Sequence, residues 1–264
     1  MTAPAVAEMF AAMLEGITTG YEERFDFPER AWQPQISYLL ASVPRAGSTY
    51  LSHLLWRTGC LGAPLEYLNF EPAGPYGFAH GDRAKQVQLW QRALVRRTSP
   101  NGVFGLKAFP ALLHDLQLGN PALVDEVIRF LLGSGSARKV VRLRRREGDA
   151  HAISYARATL SGIWRQEQEE GGRPEPAYSA EAVERAAISI EQQEAAWDAM
   201  IRDLQITPLV LWFEDVLEDG KGAAEQVVDY LGITIDPKIE VDIPEIRQQS
   251  REGAHAWAEA HAQR

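Results

Sequence analysis

The chain has 264 residues, of which 45% are hydrophobic and 24% charged, and these proportions exclude a disordered, collagen-like or coiled-coil protein. Its 27 lysine and arginine residues against 36 aspartate and glutamate residues leave a net charge of −9, which disfavours nucleic acid or an anionic membrane as partner. The lone cysteine, the lack of a signal-peptide pattern and the lack of an apolar run near ~20 residues favour a cytoplasmic protein without a membrane span.

The elements predicted along the chain alternate between helices and strands. An Ala-rich helix is expected over residues 1–21, then a buried strand over residues 36–43 and a helix that stops at Gly59. Further short strands are expected at residues 103–107, 140–143 and 209–213. The other expected helices are at residues 84–97, 123–132, 149–164, 180–204 and 222–231, with an exposed loop at residues 167–178.

Strands that alternate with helices indicate an α/β fold, in which a parallel sheet carries helices on both faces. Ligands of such sheets bind at the carboxyl ends of the strands. No composition shift marks a domain boundary, so residues 1–264 are expected to form a single domain, with residues 1–34 as a helical N-terminal extension.

The first candidate site is the turn after the strand at residues 36–43, which reads Pro44-Arg45-Ala46-Gly47-Ser48-Thr49. The amides of this turn would point out of a helix N-terminus, where the helix dipole favours an anion, and Gly47 allows a close approach of the backbone. Arg45 adds a planar cation that can bind two oxygens at once. An ordinary turn capped by Ser48 remains the alternative. The turn lacks GxxxxGK[ST], so a P-loop kinase or GTPase is a weaker prediction.

The second candidate site is a basic cluster in this acidic chain. It places six cations within nine residues: Arg138, Lys139, Arg142, Arg144, Arg145 and Arg146. The last three fall at the carboxyl end of the strand at residues 140–143, and Ser154 follows Arg146 by eight residues. The alternative is a solvated or salt-bridged face, to which Arg138 and Lys139 are assigned. Together, the two sites predict a ligand with two separated anionic groups.

Several segments, in order, resemble sulfotransferases that use 3′-phosphoadenosine 5′-phosphosulfate (PAPS), and most closely the bacterial trehalose-sulfotransferase family. Residues 38–49 resemble the family's first strand and loop, and residues 59–67 resemble its Gly-x-x-Gly-x-Pro-x-Glu-aromatic segment. Residues 101–107 and the pair Arg145-Arg146 with residues 152–158 resemble its next two landmarks. Residues 249–257 resemble its C-terminal motif only loosely. The resemblance implies the P-loop-like sulfotransferase fold.

The resemblance also implies a donor site. Arg45, Ala46, Gly47, Ser48 and Thr49 would hold the 5′-phosphosulfate of PAPS. Either Arg145 or Arg146 would bind the 3′-phosphate with Ser154, and Arg251 would add a contact from a C-terminal segment, residues 235–264, that closes over donor and acceptor. The sulfuryl group would pass in line to an acceptor hydroxyl, with Arg45 stabilising charge on the departing phosphate of the product PAP. No metal is expected, since the six histidines are scattered and Cys60 is alone.

For the acceptor side, Glu66 aligns with the family's proposed general base, and His53 is the competing base. Lys107 could contact donor or acceptor, or form a structural ion pair, while Tyr155, Arg157 and Trp164 would line the acceptor, a hydroxylated small molecule, sugar or glycolipid.

Ala63, where the family often has glutamate, and the altered C-terminal motif at residues 248–251 argue against trehalose itself. A homodimer is implied by analogy alone. The competing class is a non-catalytic protein that binds an anion or nucleotide.

Overall fold

The computed structural model of the chain describes residues 16–28, 33–133, 137–165, 168, 175–246 and 251–263. Within them, four parallel strands form one sheet in the order β2-β1-β3-β4. The strands are β1 (Ile36–Ala41), β2 (Val103–Ala108), β3 (Lys139–Arg144) and β4 (Leu209–Trp212). Ile36 pairs with Val103, and Tyr38 pairs with Lys139, so β1 lies between two strands that follow it in the chain. The predicted parallel α/β architecture is confirmed.

Nine α-helices fall within the described residues. They are α1 (Ser48–Arg57), α2 (Arg83–Arg96), α3 (Pro110–Gly119), α4 (Pro121–Leu132), α5 (Gly148–Ser161), α6 (Ala180–Asp203), α7 (Phe213–Glu218), α8 (Gly220–Leu231) and α9 (Arg251–Ala262). Two short 3₁₀ turns lie at Glu23–Phe25 and Gly77–Ala79.

The helices cover both faces of the sheet because successive strand residues point to opposite sides. Leu39 of β1 joins a core that includes Trp90 of α2 and Trp197 of α6. Its neighbour Leu40 joins the opposite core, which includes Leu51 of α1 and residues of α8. The strands are therefore buried on both sides, and their carboxyl ends open onto the loops that carry the candidate site.

The predicted helix at residues 1–21 is wrong over its described part. Residues 1–15 lie outside the described residues, and residues 16–22 are not helical. Gly16 and Gly20 have φ angles of 75° and 89°, which a right-handed helix cannot contain, and the β-branched residues between them favour extended backbone.

Other boundaries differ for local reasons. The helix expected at residues 149–164 ends at Ser161, because Gly162 takes a left-handed φ of 69° and caps it. Phe213, expected to end a strand, begins α7 instead. Most of the loop expected at residues 167–178 lies outside the described residues. Among the described helices, none is both long and apolar enough to cross a membrane.

Candidate active site

The loop between β1 and α1 is held in a tight conformation by its neighbours. Gly47, the N-cap of α1, has a φ of 81°, and a Cβ atom there would lie 2.0 Å from the ring of Phe213. Arg45 also adopts a left-handed φ, of 67°. His151 of α5 donates through Nε2 to the carbonyl of Pro44 at 2.8 Å. The loop amides therefore lie at the N-terminus of α1, where an anion is favoured.

His151 is neutral in this position. Burial lowers the pKa of its imidazole to about 4, the hydrogen bond to Pro44 opposes that change, and the charges of Arg145 and Arg45 lower the pKa further. A neutral imidazole can anchor the loop without adding charge to it.

The two predicted sites meet at Arg45. Its Nε donates to the hydroxyl of Ser154 at 3.0 Å, and its NH1 group donates to the carbonyl of Trp164 at 3.0 Å. Arg145 donates to the carbonyl of Arg45 at 3.3 Å. The structure thus brings together Arg45, Arg145 and Ser154, which come from two different loops and α5.

The three arginines that end β3 point in different directions. Arg144 pairs with Glu194 of α6 at 3.0 Å, and Arg146 makes two bonds to Asp215, at 2.5 and 2.7 Å, with its side chain 46% exposed. Arg145 is only 15% exposed, and its buried Nε meets no hydrogen-bond partner among the described residues. Of the three arginines, Arg145 therefore keeps an N–H group inside the site that can donate a hydrogen bond to a ligand.

The remaining members of the basic cluster have structural contacts. Arg142 pairs with Glu194, Arg138 donates to the carbonyl of Leu204, and Lys139 donates to the carbonyl of Tyr230. The assignment of Arg138 and Lys139 to a structural role agrees with these contacts.

On the other side of the loop at Arg45, Lys107 connects this loop with the predicted base. Its Nζ lies 2.9 Å from Oε1 of Glu66 and donates to the hydroxyl of Thr49 at 3.1 Å. Asn69 donates to the second carboxylate oxygen of Glu66 at 2.9 Å. Lys107 is 2% exposed and Glu66 18% exposed, so the pair lies at the inner end of the site.

The charge of Lys107 decides the protonation of Glu66. Burial raises the pKa of the Glu66 carboxyl, but the charge and hydrogen bond of Lys107, with Asn69 and Arg165, outweigh burial and lower the pKa below its usual value. Glu66 is therefore ionised, and each oxygen keeps a lone pair for a further donor.

His53 lies on α1, one turn beyond Thr49 and on the same face. Its ring meets the ring of Trp56 edge-on at 5.7 Å, and the side chain is buried. Burial, Lys107 and Arg165 lower the pKa of His53 to about 3, although the backbone of Pro244 acts in the opposite direction. The imidazole is therefore neutral at physiological pH.

The residues predicted to line the acceptor differ in whether their side chains can contact a ligand. The rings of Tyr155 and Trp164 lie 6.2 Å apart, and Trp164 is 39% exposed. Arg157 makes two bonds to Glu175, at 2.6 and 2.9 Å, so its guanidinium is already paired. Arg251 begins α9, and its side chain lies outside the described residues.

Two further residues at this end were not predicted. The hydroxyl of Tyr21 accepts a hydrogen bond from the backbone N–H of Glu66 at 2.9 Å, and Arg165 donates to the carbonyl of Thr19 at 3.1 Å. The pattern of residues 1–21 predicts a helix, and so it does not predict a contact between Tyr21 and Glu66. No short-range pattern links positions 21 and 66.

Comparison with known proteins identifies the family. Residues 37–263 match the family model described as Stf0 sulphotransferase. The chain belongs to the Stf0 sulphotransferase family.

Two similar relatives are both named trehalose 2-sulfotransferase. The protein from Mycobacterium tuberculosis (strain ATCC 35801 / TMC 107 / Erdman) is 23% identical over 258 residues, which cover 85% of this chain and 93% of the relative. The protein from Mycolicibacterium smegmatis (strain ATCC 700084 / mc(2)155) is 24% identical over 262 residues, which cover 85% of this chain and 94% of the relative.

Among solved structures, the sulfotransferase domain from the curacin biosynthetic pathway has a TM-score of 0.42 and 16% identity, covering 77% of this chain and 76% of that domain. The family model and the two trehalose 2-sulfotransferase relatives confirm the predicted membership of a trehalose-sulfotransferase-like family.

The Stf0 match places the candidate site almost wholly inside the family region. The loop at Arg45, the Glu66–Lys107 pair and Ser154 all lie between residues 37 and 263, whereas Tyr21 lies before the matched region. No group of three or more His, Cys, Asp or Glu side chains that could hold a metal occurs within the part of the Stf0 chain that the structure describes.

Proposed function

We propose that this sulfotransferase moves a sulfuryl group from PAPS to a hydroxyl of a sugar or a similar polyhydroxylated small molecule or glycolipid. The observation that carries the proposal is that one loop has two arginines and a serine hydroxyl on one side and an ionised carboxylate on the other. The loop contacts Ser154 and Arg145 through Arg45, and it contacts Lys107 through Thr49. Lys107 in turn pairs with Glu66. The names of both relatives support a sugar acceptor.

The residues of the first side fit a bisphosphorylated donor. The amides of Ala46 to Thr49 at the start of α1 would bind the 5′-phosphosulfate. Arg145, rather than Arg146, would bind the 3′-phosphate with Ser154, because Arg145 has a buried Nε without a partner in the described residues and Arg146 is engaged by Asp215. Arg45 would stabilise negative charge that grows on the leaving phosphate. PAPS would supply an activated sulfuryl group whose departure leaves PAP.

The residues of the second side fit activation of an alcohol. Glu66 is ionised and would take the proton of the acceptor hydroxyl as the hydroxyl attacks. Lys107 and Asn69 hold the carboxylate in place. His53 is the poorer base, because a proton there would create a third positive charge beside Lys107 and Arg165. The buried ammonium of Lys107 would also neutralise charge on the transferring group.

We also propose that the enzyme acts in the cytoplasm. Its lone cysteine, Cys60, is buried and free, as suits a reducing compartment. A homodimer remains a prediction from the family, and light scattering of the purified chain tests it.

The test has two stages. Calorimetry should show that PAP binds without magnesium and more tightly than ADP or ATP. Labelled PAPS should then transfer its sulfuryl group to at least one member of a panel that contains trehalose, glucose, methyl α-glucoside and simple alcohols. A preference for ATP with magnesium would favour a kinase. Tight PAP binding without transfer to any alcohol would favour a non-catalytic binding protein.

A further inference from the structure

Residues 16–28 are fixed to the body of the protein by a buried arginine. Arg97, at the end of α2, is 3% exposed, and its NH1 and NH2 groups donate to the carbonyls of Gly20 at 2.9 Å and Glu22 at 3.1 Å. Its Nε lies 3.0 Å from a carboxylate oxygen of Asp26. A buried guanidinium that satisfies its donors in this way is strongly retained, so the segment is a part of the domain. It also precedes the region that matches the Stf0 family model.

This segment reaches the acceptor side of the site. Tyr21 meets the rings of Tyr67 and Tyr76 edge-on, at 6.1 and 5.3 Å, and these contacts hold its hydroxyl against the backbone N–H of Glu66. Two residues earlier, the carbonyl of Thr19 receives the bond from Arg165. The segment thus forms a wall beside Glu66 and ties it to the loop that follows α5.

The hydroxyl of Tyr21 has a hydrogen left to donate. Its oxygen accepts the bond from Glu66, and none of the described residues accepts its proton. Burial, together with the charge of Glu66, raises the pKa of Tyr21 well above its usual value. The phenol is therefore always protonated and is a fixed donor beside the predicted base.

His53 supplies a second polar atom at this end of the site. It is 5% exposed, and its buried Nδ1 has no hydrogen-bond partner within the described part of the chain. A buried polar atom without a partner is costly, and a ligand group can satisfy it. His53 lies one turn beyond Thr49 on α1. The hydroxyl of Thr49 bonds to Lys107, which pairs with Glu66, and the backbone of Glu66 bonds to Tyr21, so these contacts link His53 and Tyr21 through Glu66.

We propose that Tyr21 and His53 form a hydroxyl-binding subsite beside Glu66, which selects acceptors that carry a second hydroxyl next to the one that is sulfated. The inference rests on the proposed function, in which Glu66 faces the acceptor. Tyr21 donates to the second hydroxyl, and His53 bonds to it through Nδ1. A hydroxyl can donate and accept at once, whereas a methylene in its place leaves both protein groups without partners. The ligand class is a vicinal diol, and both residues determine specificity rather than transfer the group.

The test couples protein variants to deoxy sugars. Wild type, Tyr21→Phe, His53→Leu and His53→Asn are compared in single-turnover transfer from labelled PAPS to trehalose, glucose and methyl α-glucoside, and to their monodeoxy analogues. For whichever parent sugar reacts, loss of the adjacent hydroxyl should lower kcat/KM of wild type by about tenfold, as loss of one hydrogen bond does. On the parent sugar, Tyr21→Phe and His53→Leu should lower kcat/KM by a similar factor. On the deoxy analogue, each variant should have nearly the same kcat/KM as wild type.

Controls separate recognition from folding. The affinity for PAP should stay within twofold in every variant. Tyr230→Phe is a matched control, because the Tyr230 hydroxyl also accepts a backbone N–H, that of Val140 at 3.1 Å, at a distance from the site. It should leave kcat/KM unchanged. His53→Asn, whose amide can replace Nδ1, should retain more activity than His53→Leu, whatever the stability of the leucine variant.

The possible failures differ from one another. If wild type binds PAP but transfers to none of the sugars or simple alcohols, the proposed function fails and the subsite fails with it. If it transfers to simple alcohols but to none of the sugars, the subsite alone is overturned. Two results with an active wild type would overturn the subsite alone. In the first, Tyr21→Phe and His53→Leu have the same kcat/KM as wild type. In the second, they lower kcat/KM by the same factor on parent and deoxy sugars. A loss of PAP affinity in Tyr21→Phe with no change in sugar selectivity would likewise assign Tyr21 to packing and overturn the subsite.

Discussion

The guanidinium of Arg45 donates to the hydroxyl of Ser154 at 3.0 Å, although 109 positions separate the two residues in the chain. The family resemblance assigns them to opposite ends of a donor, yet here they are direct neighbours. Groups in one hydrogen-bond network do not contribute independently. Substitutions at Arg45 and Ser154 should therefore be read against each other as well as singly.

The first prediction concerns Arg45. Arg45→Ala should fold normally and lose most of its sulfuryl transfer, because the side chain acts on charge that develops in the transition state. The loss should appear in kcat when PAPS is saturating. If only the KM for PAPS changes, Arg45 binds the donor and takes no part in the chemistry.

The second prediction separates Arg145 from Arg146. Arg145→Ala should weaken PAP by about 10- to 100-fold, the effect of losing hydrogen bonds from a charged group, and should weaken adenosine 5′-phosphosulfate much less, since that ligand lacks the 3′-phosphate. Arg146→Ala is the matched control and should change neither affinity by more than threefold, because its guanidinium is bound to Asp215. Calorimetric titration measures both. Equal weakening of the two ligands by Arg145→Ala would contradict the assignment.

The third prediction concerns Glu66. Glu66→Gln keeps the size of the side chain but cannot accept the proton of the acceptor, so single-turnover transfer should fall by about 10²- to 10⁴-fold. The affinity for PAP should stay nearly constant, because Glu66 contacts Lys107 and Asn69 rather than the arginines. Transfer within twofold of wild type would move the base role to His53.

The fourth prediction is a pH dependence with a definite sign. A base works only when deprotonated, so the rate should fall as the pH drops through the pKa of Glu66, which lies below the usual carboxyl value. Lys107→Met removes the main charge that lowers this pKa, and burial then raises it, so the acid limb of the pH–rate profile should move to higher pH. In the double variant with Glu66→Gln, the limb should disappear. An unmoved limb in Lys107→Met would mean that another group titrates.

The fifth prediction tests the packing of the donor loop. Gly47→Ala should destabilise the protein and abolish PAP binding, because the new Cβ would meet the ring of Phe213 at 2.0 Å in a left-handed backbone. Gly232→Ala is the control, since Gly232 has a φ of 71° and no atom within 4 Å of the added carbon. It should cost only about 1 kcal/mol of unfolding free energy and leave PAP binding intact. If thermal denaturation shows that the two variants lose the same stability, contact with Phe213 does not explain the effect at Gly47.

Local patterns in the sequence carried much of the fold. The apolar run that contains β1, the glycine-containing turn and the helical spacing after it predict the strand–loop–helix unit, and all three agree with the structure. The family motifs then identify Arg45, Glu66 and Ser154 as candidates, because each lies in a contiguous segment with a recognisable order. Their roles remain predictions.

What the sequence could not predict depends on side chains far apart in the chain. Nothing in the run Arg144-Arg145-Arg146 indicates which arginine faces the site, because Asp215 and Glu194, which engage two of them, come from later helices. In the same way, Tyr21 contacts Glu66 in a segment that Arg97, 76 positions after Tyr21, holds through the carbonyl of Gly20. Such choices are made by tertiary packing, which periodicity does not report.

The position of β1 in the sheet also has a consequence for biosynthesis. β1 precedes both of its hydrogen-bonding partners, β2 and β3, in the chain, so neither of its backbone edges can pair with them until those segments have been translated. During that interval an apolar strand with two open edges is exposed to other nascent chains, a situation that promotes aggregation. The strand that leads into the loop at Arg45 therefore stays unpaired on both edges for part of the time in which the protein is being made.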